Sequence, residues 1–319
     1  MHALVRGAGV AGLTVAFELR RHGHAVEIVD RAGYVGAGAS GLAGGMLAPF
    51  CEGESAPESV TRLGRAAAEW WEAALPGHVG RNGTLVVAPP RDTGELKRFA
   101  TRTTCHEWLD EDGIAVLEPA LAGRFRTALF FRDEAHLDPR AALGALKEWL
   151  ADDGVRFRFD ASSPGTDFDA VFDCTGSAAI GTVPGLRGLR GEMLYLETEE
   201  IALSRPVRLL HPRHPLYVVP RGGNRFMVGA TMLEANVGGP ISARSLMELL
   251  NAAYALHPAF GEARVIETGA GVRPAFDDNV PRVLRIGNAI HVNGFYRHGF
   301  LLAPAMAREA VSLLERVPA

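Results

Sequence analysis

The sequence predicts an α/β fold in two parts: a domain opened by a βαβ unit of the dinucleotide-binding type, and a second domain built on an antiparallel sheet. Three observations carry that prediction. A glycine-rich turn joins a strand to a helix near the N-terminus, strand-like segments that suit the same sheet recur far downstream, and much of the chain between them alternates apolar and polar residues. A length of 319 residues, at roughly 150 per domain, agrees with two domains.

The opening runs strand, turn, helix, strand. Ala3 to Arg6 reads as a buried strand, Gly7-Ala8-Gly9-Val10-Ala11-Gly12 as the turn, and Leu13, Ala16, Phe17 and Leu19 as one face of a helix that stops at Gly23. Ala25 to Val29 follows as a second strand and ends in Asp30. In a G-x-G-x-x-G turn the first glycine permits the bend, the second lets the backbone approach a pyrophosphate, and the third lets the helix lie close on the strand. Free N–H groups at the positive end of the helix then hold the diphosphate. Asp30 falls about 20 residues after the first glycine, where an acidic side chain accepts from ribose hydroxyls. FAD and NAD both present an adenosine diphosphate, so the turn does not choose between them.

Ala170 to Cys174, running into Thr175-Gly176, and Ala289 to Asn293, running into Gly294, suit the same sheet, which makes the dinucleotide domain discontinuous. Between them Asp138 and Pro139 signal the start of a helix that carries Leu143, Leu146 and Leu150 on one face. Gly83 to Ala88, Arg126 to Phe131, Gly191 to Glu197, Leu216 to Pro220 and Arg225 to Gly229 alternate as strands of an antiparallel sheet with one buried face. A helix from about Ser242 to Leu256, with Leu246, Leu249, Leu250 and Ala253 on one side, is suited to cover it. Trp70 and Trp71 follow a helical pattern with Val60, Leu63 and Ala67 and read as core.

Composition removes several classes of function. With 33 Lys+Arg against 37 Asp+Glu the net charge of −4 offers nothing to a phosphate backbone, so no nucleic acid partner is expected. No apolar run approaches the length of a membrane span, and no signal peptide precedes Gly7. The cysteines Cys51, Cys105 and Cys174 are odd in number and widely spaced, which points to a reducing cytoplasm rather than to disulfides or a zinc knuckle. His211, His214, His291 and His298 lack helical ligand spacing beside a carboxylate, so no metal is expected.

Ala39-Ser40-Gly41-Leu42-Ala43-Gly44-Gly45-Met46-Leu47-Ala48-Pro49 resembles the second flavin-contacting segment of the D-amino acid oxidase superfamily, most closely that of the glycine oxidases of thiamine biosynthesis. Tyr217 to Arg221 with Val228 to Met232, Gly271-Val272-Arg273-Pro274 with Asp278 to Pro281, and Gly294 to Pro304 resemble later blocks of the same family in the same order. The similarity covers essentially the whole chain and favours FAD over NAD. It implies a doubly wound, Rossmann-like FAD-binding domain (1–75, 136–188 and 265–319) and an antiparallel-sheet substrate domain (76–135 and 189–264), both discontinuous.

The same resemblance implies roles for individual residues. Arg273 would grip a substrate carboxylate, since guanidinium offers two parallel donors to two oxygens. Tyr217 would reach the same carboxylate, Met232 would wall a small pocket on the neighbouring strand, and Arg297 would lie near substrate and flavin. FAD would be held by Gly7, Gly9, Val10, Ala11, Gly12, Asp30, Arg31, Ser40, Thr175 and Gly176, with its ring near Gly44, Gly45, Met46 and Arg273. Its pyrimidine edge would meet His298, Gly299, Phe300 and Leu301 at the start of the final helix, where Pro304 falls in the first turn. Neither Cys51 nor Cys174 lies where relatives attach flavin, so the FAD is expected to be non-covalent. Phe295, His298 and Pro215 depart from the family pattern and leave the substrate open.

The implied activity is hydride removal from the α carbon of glycine or another small amino acid, giving the imine and, with oxygen, hydrogen peroxide, in the service of thiamine thiazole synthesis. The alternative within the class is a small D-amino acid or N-methyl amino acid dehydrogenase that uses another electron acceptor. The partners are then a small amino acid or amine and the electron acceptor, and a homo-oligomer is admitted.

Overall fold

The computed structural model describes residues 1–161, 167–211 and 215–315. Its first sheet has the order Arg282–Ile286, Ala289–Asn293, Ala170–Asp173, His2–Arg6, Ala25–Val29, Arg156–Arg158. The last five run parallel, and Arg282–Ile286 is antiparallel to its neighbour. Ala3, Val5, Ile28 and Phe172 are buried, as strands covered by helices on both faces must be. Winding reverses on either side of His2–Arg6, which puts the ligand crevice outside the carboxyl ends of that strand and Ala170–Asp173.

The first helix, Val10–Arg21, shares one core with the last, Gly299–Glu315, through Leu13, Phe17, Leu302 and Met306. Helix Pro139–Asp152 starts where the sequence signals it. The Asp138 carboxylate accepts from the N–H groups of Arg140 and Ala141 at 2.8 and 3.1 Å, and Leu143, Leu146 and Leu150 are buried.

The second sheet joins nine described strands. Helix Ala243–Leu256 covers it, packing Leu249, Ala253 and Leu256 with Leu194, Val218 and Val228. Two expectations need correction. Residues 265–275, expected in the first domain, form strand Arg264–Ala275 and pair along Arg187–Glu197 in the second sheet, so 187 and 188 belong there too. A strand of this length needs a partner as long, and Arg187–Glu197 is that partner. Nor is the sheet wholly antiparallel: Val207–Leu209 pairs in parallel with Thr84–Val87.

Pro304 lies inside the closing helix rather than in its first turn. Its nitrogen carries no hydrogen, so the carbonyl four residues back, that of Phe300, loses its helical donor. The buried Trp71 indole replaces it, donating from Nε1 to the Phe300 oxygen at 2.9 Å. Trp71 is therefore core packing and a hydrogen-bond donor at once. Trp71→Phe should lower stability in urea unfolding by about 1–3 kcal/mol. The same change should cost less in a Pro304→Ala background, where the helix supplies its own donor, and equal losses in both would contradict the assignment.

Candidate active site

At the switch point two of the three turn glycines, Gly7 and Gly12, are required by space. A Cβ on Gly7, whose φ is +101°, would stand 2.5 Å from the Cys174 carbonyl oxygen, and one on Gly12 would stand 1.8 Å from that of Gly7. Gly9 faces Ser40, whose Oγ accepts from the Val10 N–H at 3.1 Å. Asp30 accepts from the N–H groups of Ala8 and Ala32 at 2.6 and 2.8 Å. Each of its oxygens keeps a lone pair for a ribose hydroxyl. Arg31 beside it is exposed, and Ala11 sits in the first helical turn, whose N–H groups have no partner within the helix. Thr175 donates from Oγ1 to Asp173 at 2.6 Å, and Gly176 accepts from Asn293 at 3.0 Å. The cradle fits an adenosine diphosphate.

A cavity of about 130 Å³ lies between the second sheet and the segments 43–52 and 297–301. It gathers Gly44, Gly45, Met46, Tyr217, Met232, Arg273, Arg297, His298, Gly299, Phe300 and Leu301, segments remote in sequence. Gly44 and Gly229 flank the Tyr217 ring: a Cβ on either would come within 2.6 and 3.1 Å of it. Arg221, reaching across from the substrate sheet, donates to the Gly44 carbonyl at 2.7 Å and to that of Leu137 at 3.3 Å, and so holds the glycine loop.

Arg273 stands on Arg264–Ala275 beside Gly191 of the neighbouring strand, where a Cβ would lie 2.1 Å from its Nη2. The missing side chain is what admits the guanidinium. Nη1 donates to the Thr231 carbonyl at 3.2 Å, and no described carboxylate bonds to it. Burial lowers its pKa below the usual arginine value, Tyr217 and Tyr296 oppose that, and Arg297 adds to it.

Met232 is placed differently from the expectation. Tyr217 pairs in register with Gly229, where the strand ends, so Met232 lies beyond it in the chain leaving the sheet. It is 50% exposed, and its Sδ accepts from the Tyr296 hydroxyl at 2.8 Å. Arg297 reaches the cavity, yet its fork is engaged: Nε and Nη2 lie 2.8 and 2.7 Å from Glu52 Oε2, and Nη2 donates to Ser55 at 3.0 Å.

Glu52, Arg208, Arg221 and Gly191 are the residues that sequence reasoning missed. Burial pulls the Glu52 carboxyl upward, but Arg297, His298 and Arg208 outweigh it and hold the group at about 2. Arg208 Nη1 is 3.6 Å from Glu52, and His298 Nδ1 is 3.4 Å from it. Gly191 had a local signal, since a glycine inside a strand marks a close approach, and Arg221 ends the Tyr217 to Arg221 block. Of the histidines, His214 lies outside the described residues, and no three His, Cys, Asp or Glu side chains among the described ones are grouped to hold an ion. No described helix is long and apolar enough to cross a membrane.

Burial pushes His298 down to about 4, with Glu52 opposing. An unfolded histidine titrates near 6.5, so the stability tied to neutral His298 is complete above that pH and is lost as pH falls to about 4. His298→Asn should flatten the acid limb of the stability profile by up to about 1.4 kcal/mol per pH unit, measured by urea unfolding. Parallel profiles would contradict this placement.

The family described as FAD dependent oxidoreductase matches residues 2–313. A Rhizobium etli protein with the provisional name thiamine biosynthesis oxidoreductase ThiO is 69% identical over 315 residues, covering 98% of this chain and 96% of its own. Glycine oxidase of Geobacillus kaustophilus is 27% identical over 97% of this chain and 92% of its own. The crystal structure of glycine oxidase from Geobacillus kaustophilus superposes with a TM-score of 0.82, covering 99% of this chain and 95% of that one at 24% identity. The chain belongs to the DAO family of FAD dependent oxidoreductases, and FAD is its cofactor.

Proposed function

We propose that the chain oxidises glycine or a similarly small amino acid at its α carbon, giving the imine. The observation that carries this reading is Arg273, a partly buried guanidinium that bonds to no described carboxylate and lies beside Tyr217 in a cavity of about 130 Å³. A cation so placed calls for an anion from outside. The relatives named ThiO and glycine oxidase support the amino acid and a place in thiamine thiazole synthesis.

Bound FAD would supply the two-electron acceptor for the α-carbon hydride, with the pair and two protons going on to oxygen as hydrogen peroxide. The protein supplies position. Arg273 and Tyr217 hold the carboxylate, Gly44 and Gly45 admit the ring, and Arg221 keeps that loop in place. Gly299, Phe300 and Leu301 bring the N-terminus of the closing helix to the cavity, where it would favour negative charge on a reduced flavin. The amine binds neutral and its proton goes to water, since Glu52 and His298 are engaged with each other and with Arg297. The thiols of Cys51 and Cys174 are raised well above their ordinary value, chiefly by burial, which suits a non-covalent flavin. Usage of cysteine suits work in the cytoplasm.

Anaerobic addition of glycine, sarcosine or D-alanine to the holoenzyme should bleach the flavin band, glycine fastest, and hydrolysis of the imine formed from glycine should release glyoxylate and ammonia. A band that none of them bleaches contradicts the reading. Arg273→Met should raise the KM for glycine by about a hundredfold or more with FAD retained. Gly191→Ala should raise the same KM by displacing the guanidinium, and an unchanged KM in both variants would remove Arg273 from the site.

A further inference from the structure

A second cavity, of about 390 Å³, adjoins the ring pocket and shares with it Arg208, Pro215, Met232, Arg297 and His298. Most charges around it are already matched. Glu54 pairs with Arg102, Glu95 with Arg98, Asp278 with Arg282, and Arg297 with Glu52.

Arg208 is the exception. Its Nη1 is buried without a hydrogen-bond partner, and the nearest acid, Glu52 at 3.6 Å, is already held by Arg297. Its guanidinium carbon lies 5.5 Å from the centre of the Phe99 ring, whose face attracts a cation but accepts no conventional hydrogen bond. Glu134, behind Cys51, is pushed up to about 7 by burial and supplies no full counter-charge near neutrality. Arg208 also pairs directly with Tyr217 across adjacent antiparallel strands, so the two side chains leave the same face about 5 Å apart. The unmatched cation therefore stands next to the residue that would hold the substrate carboxylate, on the wall that opens to the larger cavity.

We propose that Arg208, flanked by Arg297, forms a second anion subsite, which takes an additional carboxylate carried by the substrate on an arm that reaches from its amine or α carbon into the outer cavity. The inference rests on the amino acid reading above and narrows it to substrates with a second acidic group. A neutral arm of the same shape would fill the cavity and leave Arg208 unmatched.

The test compares acid and amide partners on the holoenzyme: N-(carboxymethyl)glycine against N-(carbamoylmethyl)glycine, and D-aspartate against D-asparagine. In at least one pair kcat/KM for the acid should exceed that for the amide by about tenfold or more, the scale of one charge-assisted contact. That ratio should fall toward one in Arg208→Met and stay intermediate in Arg208→Lys. Equal rates within both pairs in the unaltered enzyme, or a ratio that survives Arg208→Met, would overturn the subsite. If the Met variant does not fold, the unaltered enzyme and the Lys variant decide the question. Bleaching by glycine with no acid preference removes only the subsite; failure of glycine and all four probes to bleach removes the amino acid reading with it.

Discussion

A guanidinium withdrawn from water without a carboxylate of its own protein is costly to keep, and Arg273 is held in that condition. The structure offers it one carbonyl, that of Thr231, and a space opened by the missing side chain of Gly191. Nothing in that arrangement optimises stability. In the proposed reading it leaves a bidentate donor for a substrate carboxylate, beside Tyr217 and the glycine loop that would admit the flavin ring.

The proposed site draws on more than the sheet that carries this donor. Arg273 sits on a strand of the second sheet, while Gly44, Gly45 and the start of the closing helix line the cavity that would receive the ring. Arg221 joins the two by donating to Gly44 and Leu137. On the far side, Trp71 caps the carbonyl that Pro304 leaves free, which fixes Phe300 at the cavity wall. Glu52 gathers Arg297, Arg208 and His298 into one group, so that the cavity carries positive charge while one of its arginines is neutralised.

The parts legible in the sequence are those whose chemistry is local. Gly7, Gly9, Gly12 and Asp30 declare themselves because turn, helix start and strand end lie within one short βαβ unit. Arg273 was legible through the block around it, but not its setting, since Gly191 reaches it only by strand pairing across more than eighty residues. Glu52 and Arg208 belong to no motif and acquire meaning only when remote segments meet. Met232 lines the cavity but does not lie on the neighbouring strand, because that strand ends at Gly229. The place of 265–275 was not legible, since its backbone hydrogen bonds go to Arg187–Glu197, a strand remote in sequence.

The central claim, that Arg273 waits for a carboxylate beside the flavin, is tested most directly by titrating the oxidised holoenzyme with acetate, which has the carboxylate and no amine to oxidise. A saturable change in the visible flavin bands, weakened about tenfold or more in Arg273→Met, is the predicted result. Equal affinity for acetate in the unaltered enzyme and the variant would contradict it.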